Sequence, residues 1–254
     1  MEISERELRL LTADADDHHR DGLATMAADV RELHAATRTL RSTRREMLAR
    51  AVAAAGTVAV GSATLPLAGL LPAAAQEGEE ETFDDPTLAA FAESVELVAV
   101  EAYTQAAQTG FLSSALTLAG QTFADHHRQH AAAFASIAGS KAKGKANERL
   151  MRAVADQLRN AQDQSGLLRV ALDIENAAAA TYLFALGVLE SEAAQRLAAS
   201  ILPVESQHAV VIGQALGIPL DSAVPTFENQ DRAVDPTIFA IDPTTTTTTS
   251  TTTK

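Results

Sequence analysis

The 254-residue sequence predicts an all-α protein whose centre is a four-helix bundle. Three observations point there. Hydrophobic residues make up 46% of the chain with alanine dominant, while aromatics are only 4% and Trp is absent, a balance that favours helices over strands. Residues 86–216 run in long Ala/Leu/Val-rich stretches separated by Gly, Ser and Pro stops. The polar residues that interrupt those stretches recur at helical spacings, in two matching halves.

Residues 1–40 are polar and charged. Val30, Leu33, Thr37 and Leu40 recur at helical spacing and predict a short amphipathic helix. His18 and His19 read as solvated loop residues. Met26 would serve as an alternative start that keeps the arginine pair downstream, leaving residues 1–25 without a function. Residues 41–75 follow, with Ser42-Thr43-Arg44-Arg45-Glu46-Met47-Leu48 leading into an uncharged stretch from Ala51 that closes on Ala73-Ala74-Ala75. A basic head, an apolar middle and a small-residue end make an export signal. The adjacent arginines resemble the twin-arginine pattern, with Met47 where Phe is usual and Ala49 where Lys is usual. The competing reading is an uncleaved anchor through 51–75, which would associate the chain with a membrane. Gly56, Gly61, Pro66, Gly69 and Pro72 weaken such a helix, so cleavage and an exported location, secreted or at the cell envelope, are expected. Residues 76–85, with Glu77, Glu79, Glu80, Glu81, Asp84 and Asp85, read as an acidic, solvated linker.

The bundle itself is expected over 86–216. Asp85-Pro86 starts a first helix that runs to Gln108 and stops at Thr109-Gly110. A second helix covers Ser113 to Ala138 and stops at Gly139-Ser140. After a loop through Lys141–Lys145 comes an amphipathic segment, Asn147 to Gln162. A third long helix spans Gly166 to Leu189, and a fourth spans Glu192 to Leu216, with Gly217-Ile218-Pro219 as its stop and Pro203 as an expected kink. Phe91, Phe111, Phe123, Phe134 and Phe184 are assigned to core packing. Residues 217–254 are an irregular segment ending in a Thr-rich tail after Pro243 that cannot bury anything and should be disordered.

Charge and composition exclude several functions. With 20 basic against 33 acidic side chains the net charge is −13, which argues against nucleic acid or anionic lipid as a partner. The absence of Cys excludes disulfides, thiolate zinc sites and cysteine nucleophiles.

What remains is carried by polar residues inside the helices. Glu96 is followed seven positions on by Tyr103, and Glu175 seven positions on by Tyr182. Seven residues is almost two turns, so each Glu and Tyr share a face. The second helix carries His127 and His130, three apart, and the fourth carries Glu205 and His208, also three apart. Residues at i and i+3 point the same way and can converge on one atom. Glu96 to His130 and Glu175 to His208 are nearly equal separations. The halves therefore repeat and suggest a pseudo-two-fold bundle with a site on its axis. Glu101 falls on another side of its helix and is expected at the surface.

This arrangement resembles the ferritin-like superfamily, in which two helices give one Glu each and two give a Glu-x-x-His pair each. In overall form the chain is similar to exported bacterial ferritin-like domain proteins. The resemblance covers residues 86–216 and implies a ferritin-like four-helix bundle. It matches Glu96 and Glu175 to the single-Glu positions, Glu205 and His208 to one pair, and His130 to the His of the other. His127 stands where that pair's Glu belongs, and Asp125 and His126 lie off the expected offset. Tyr103 and Tyr182 would orient the carboxylates. The implied cofactor is iron, in a di-iron centre or as a single ion, with manganese or zinc as alternatives. The implied reaction is oxidation of Fe(II), or reduction of oxidants. Because an imidazole cannot bridge two ions as a carboxylate does, two ions, one or none remain open. The other reading is a metal-free structural or binding bundle at the cell envelope. Partners would be metal ions and, for an assembly, copies of the same chain.

Overall fold

The structure, a computed structural model, describes residues 3–37 (side chains through 22), 83–225 and 231–239. The export signal or anchor at 41–75, residues 76–82 of the acidic linker and the Thr-rich tail lie outside the described residues. Among the described residues there is no strand, and no helix is long and apolar enough to cross a membrane.

Among the described residues seven α-helices follow in order: α1 (Glu5–Thr37), α2 (Asp85–Gln108), α3 (Ser114–Ala138), α4 (Glu148–Asn160), α5 (Gln164–Val188), α6 (Glu192–Ala215) and the short α7 (Leu220–Ala223). Each helix from α2 to α6 begins at a residue whose side chain accepts a hydrogen bond from the first turn: Asp84, Ser113, Asn147, Asp163 and Ser191. These caps satisfy backbone N–H groups that the helix cannot pair internally. Positive φ at Gly110 and Gly139 turns the chain out of α2 and α3, where a side chain would be strained. Helix α6 runs without a break through Pro203.

The four long helices form two antiparallel hairpins, α2 with α3 and α5 with α6, packed against each other. Helix α4 lies against α2 and α5 and covers that side. Helix α1 lies against α3 and α6 and covers the other. One apolar cluster closes one end around Leu116, Phe123, Leu172 and Ile212, and a second closes the opposite end around Phe134, Leu189, Leu197 and Ile201. A third packs Phe91 and Val98 against Leu150 and Val154 of α4, and against Val234 and Phe239 of the C-terminal segment. Gly213 is needed where α7 crosses α6, because a Cβ there would sit 2.3 Å from the Ala223 methyl.

The structure corrects three expectations. Residues 5–37 are one continuous helix, and Leu8, Thr12, Ala15 and His19 are buried against the bundle. They recur four, three and four residues apart, one face of a helix. The segment from Leu8 to His19 therefore has a structural role, and His19, 2% exposed, is no solvated loop residue. Asp85 is a buried anchor rather than spacer, its carboxylate accepting from the Glu190 and Ser191 backbone N–H groups across the α5–α6 turn. Asp84 caps α2 and pairs with Lys141 at 2.7 Å. Phe111 is 47% exposed rather than core, because it follows Gly110 in the turn between α2 and α3 and has no helix face to hold it inward. Phe91, Phe123 and Phe134 are buried and Phe184 is half-buried.

Candidate metal centre

Midway between the two end clusters, the bundle interior is polar. Glu96 from α2, His127 and His130 from α3, Glu175 from α5, and Glu205 and His208 from α6 are all buried, none more than 2% exposed. Burying so many ionisable groups without water is costly unless each charge is compensated. Here carboxylates and imidazoles alternate. His127 donates from Nδ1 to Glu96 Oε2 (2.7 Å) and from Nε2 to Glu175 Oε1 (3.2 Å). His208 Nδ1 donates to Glu175 Oε2 at 3.1 Å, and His130 Nδ1 lies 3.1 Å from Glu205 Oε1.

The tyrosines cross between the hairpins. Tyr103 on α2 donates to Glu175 on α5, and Tyr182 on α5 donates to Glu96 on α2. Helical spacing puts each Tyr on the face of its own helix's Glu, yet the pseudo-two-fold axis delivers its hydroxyl to the Glu of the other hairpin. Burial and the neighbouring Glu175 carboxylate hold the Tyr103 hydroxyl well above the ordinary phenol range, so it remains a donor.

The electrostatics follow from this alternation. Burial works against charge at every group, but the facing partners outweigh it. His130 and His127 hold the Glu96 carboxyl below its usual value, and His127 and His208 hold Glu175 well below. Conversely, the surrounding carboxylates raise His127 and His208 and push His130 up to about 9. Without a cation the centre is thus a lattice of carboxylates and imidazolium groups.

That lattice predicts a pH dependence. Below the ordinary imidazole value of 6.5 the raised histidines contribute fully to stability. As pH rises toward about 9 the folded chain must give up the His130 proton, and the contribution is lost. The lowered Glu96 and Glu175 contribute above the ordinary carboxyl value of 4.5 and lose that contribution as pH falls below it. The melting temperature of the metal-free chain is expected to peak between these limits and fall toward pH 9. Calorimetry across that range checks it, and a flat profile to pH 9 would mean that the histidines carry no proton.

The donor atoms also fit a cation. Glu96, His127, His130 and Glu205 offer one atom each within 4.8 Å of one another, and so do His127, Glu175, Glu205 and His208. Ligands about 2.0–2.2 Å from a shared ion lie within roughly 4.4 Å of each other, so a small contraction would suffice. Both Glu205 oxygens and both His130 ring nitrogens are buried without a hydrogen bond. The unpaired carboxylate oxygens, and the imidazole nitrogens once they give up a proton, are lone pairs that a metal ion would engage. The two groups share His127 and Glu205, and Glu205 is the one shared carboxylate.

Three residues that spacing missed surround this centre. His126, 1% exposed, faces α1 rather than the interior. Its Nδ1 meets His208 Nε2 at 2.9 Å and its Nε2 meets Asp16 Oδ1 at 3.0 Å. His19 stacks on the His126 ring, centroids 4.0 Å apart, and lies edge-on to His130 at 5.1 Å. Burial and the nearby histidines press His126 down to about 3 and His19 to about 4, so both rings are neutral. The available signal was the period of Leu8, Thr12, Ala15 and His19. Asp125 is exposed and pairs with Arg128 at 2.7 Å, and Glu101 is exposed as expected.

No curated protein and no solved structure matches the chain. The family model described as a ferritin-like domain does match it, over residues 84–218. That span begins at the cap of α2, ends just past α6 and contains all six Glu and His residues of the centre. The paired hairpins, the inward carboxylates and this match agree, and the chain belongs to the ferritin-like domain family.

Proposed function

We propose that this chain is an exported ferritin-like protein that binds one or two metal ions among Glu96, His127, His130, Glu175, Glu205 and His208. The observation that carries the reading is the pair of overlapping donor groups whose shared carboxylate, Glu205, is buried with neither oxygen hydrogen-bonded. Mixed carboxylate and imidazole donors suit iron or manganese, and also zinc. Bound iron would supply electron transfer from Fe(II) to dioxygen or peroxide. The chain's own residues hold the carboxylates in place through Tyr103 and Tyr182 and keep water out with the two apolar end clusters. The location outside the cytoplasmic membrane rests on the Arg44-Arg45 signal.

A second reading has its own support. The His127–Glu96 and His208–Glu175 contacts at 2.7 and 3.1 Å already neutralise charge, as a bundle that has given up metal for structure would need.

Elemental analysis of the full chain, purified without a His tag and reconstituted with Fe(II), Mn(II) or Zn(II), separates the two. The expected result is one to two equivalents of iron or manganese in the parent and none in a Glu96→Ala/His208→Ala variant. About two equivalents would mean that both donor groups fill despite His127, and about one that the imidazole leaves a single-ion site. A parent that stays empty after all three reconstitutions would overturn metal binding and leave the structural bundle.

A further inference from the structure

The two hydrogen bonds of His126 join the N-terminal helix to the proposed metal centre, although α1 lies outside the stretch that matches the ferritin-like domain. We propose that Asp16 and His126 are positioning residues for His208, so that α1 is a working part of the metal centre.

The argument is one of proton bookkeeping along a chain of contacts. An ionised carboxylate only accepts, so the His126 nitrogen 3.0 Å from Asp16 Oδ1, Nε2, carries the hydrogen. In a neutral ring that leaves Nδ1 as the acceptor. It faces His208 Nε2 at 2.9 Å, which therefore donates. His208 then has Nδ1 as its one possible ligand atom, and Nδ1 is the atom that points at Glu175 and Glu205, 3.1 and 3.5 Å from their oxygens. Asp16 thereby selects, through two rings, the arrangement in which His208 keeps its Nε2 hydrogen and presents a lone pair at Nδ1 once a cation displaces the proton that Nδ1 otherwise donates to Glu175.

The rings are also held in plane. His126 is stacked against His19 on one side and lies against the His208 ring, centroids 5.1 Å apart and tilted 23°. Phe123 stacks on His208 at 4.1 Å. His19 makes no hydrogen bond of its own, so packing is its contribution. Outer partners of this kind orient a metal-bound imidazole and raise its basicity, and losing one costs about 10–100-fold in affinity. Cleavage after Ala75 would remove α1 from the exported product, so α1 serves the centre in the uncleaved chain, and the uncleaved chain should bind metal more tightly than the cleaved one.

This inference rests on the metal-binding reading, and the test keeps the two apart. Co(II) affinity would be measured on the full chain by competition with a chelator, together with the visible d–d spectrum. Asp16→Ala is expected to weaken binding about 10-fold or more and shift the spectrum, whereas Asp16→Asn, which keeps an acceptor oxygen, recovers part of the loss. Asp17→Ala, at a position 69% exposed, should match the parent. His126→Phe, which preserves ring volume, should lose as much as Asp16→Ala, and the double variant should lose no more than either. Melting curves show whether each variant is folded. Parent-like affinity and spectrum in folded Asp16→Ala and His126→Phe would overturn the proposal while leaving the centre standing. A parent that takes up no Co(II) would end both.

Discussion

Replacing Glu205 by Gln is expected to remove metal from both halves of the centre at once, weakening Mn(II) binding by at least about 100-fold, beyond the range for outer-sphere partners. Glu205 belongs to both donor groups, whereas Glu96 and Glu175 belong to one each. His127 is shared as well, but an imidazole nitrogen offers a single lone pair in one direction. Gln keeps the volume of the side chain and removes the negative charge that two cations would share. Glu205 makes no hydrogen bond to the rest of the protein, so the backbone of α6 should be unmoved. The direct loss to folding is the anionic neighbour of His130, His208 and His127, at 3.1, 3.5 and 3.9 Å. Glu96→Gln and Glu175→Gln should instead reduce uptake from the affected group alone. Titration calorimetry with Mn(II) on the three variants distinguishes these outcomes. Equal losses in all three would mean that Glu205 holds no special position between the groups.

The sequence made the bundle legible because helices of more than twenty residues leave strong periodic signals, and Gly, Ser and Pro punctuate them. The six inward Glu and His residues were legible for the same reason: i and i+3 spacing fixes a shared face, and two halves with one pattern fix a common height. Spacing does not say what lies across the gap. It placed Tyr103 with Glu96, yet the hydroxyl reaches Glu175, because the partner is set by how the hairpins pack. It set His126 aside, since one residue before His127 means about 100° around the helix and away from the axis. Only the arrival of α1 gives that direction a partner. The N-terminal part of α1, before the period that starts at Val30, was illegible because polar Thr12 and His19 occupy half of its buried stripe, which hides the apolar period that identifies a packing face.

Replacing His127 by Glu restores the residue that the ferritin-like pattern expects, and it should trade stability without metal for metal binding. In the parent, His127 is the one group that touches all three carboxylates, at 2.7 Å from Glu96, 3.2 Å from Glu175 and 3.9 Å from Glu205. Its replacement by a fourth carboxyl removes that compensation and adds a like charge at the same point. Breaking a buried ion pair costs about 3–5 kcal/mol. For a domain of this size that corresponds to a fall in melting temperature of roughly 6–20 °C. The new carboxyl can avoid part of the repulsion by keeping its proton, but it then offers Glu96 a neutral donor in place of an imidazolium. A pair of divalent ions reverses the balance, because four carboxylates and two imidazoles match the donor set of a di-metal bundle. Mn(II) should therefore raise the melting temperature of His127→Glu far more than that of the parent, and bind near two equivalents. Scanning calorimetry with and without Mn(II) reads both effects. A metal-free variant as stable as the parent, unmoved by Mn(II), would show that position 127 neither holds the carboxylates together nor faces an ion. In the parent, His127 compensates the three buried carboxylates without a cation.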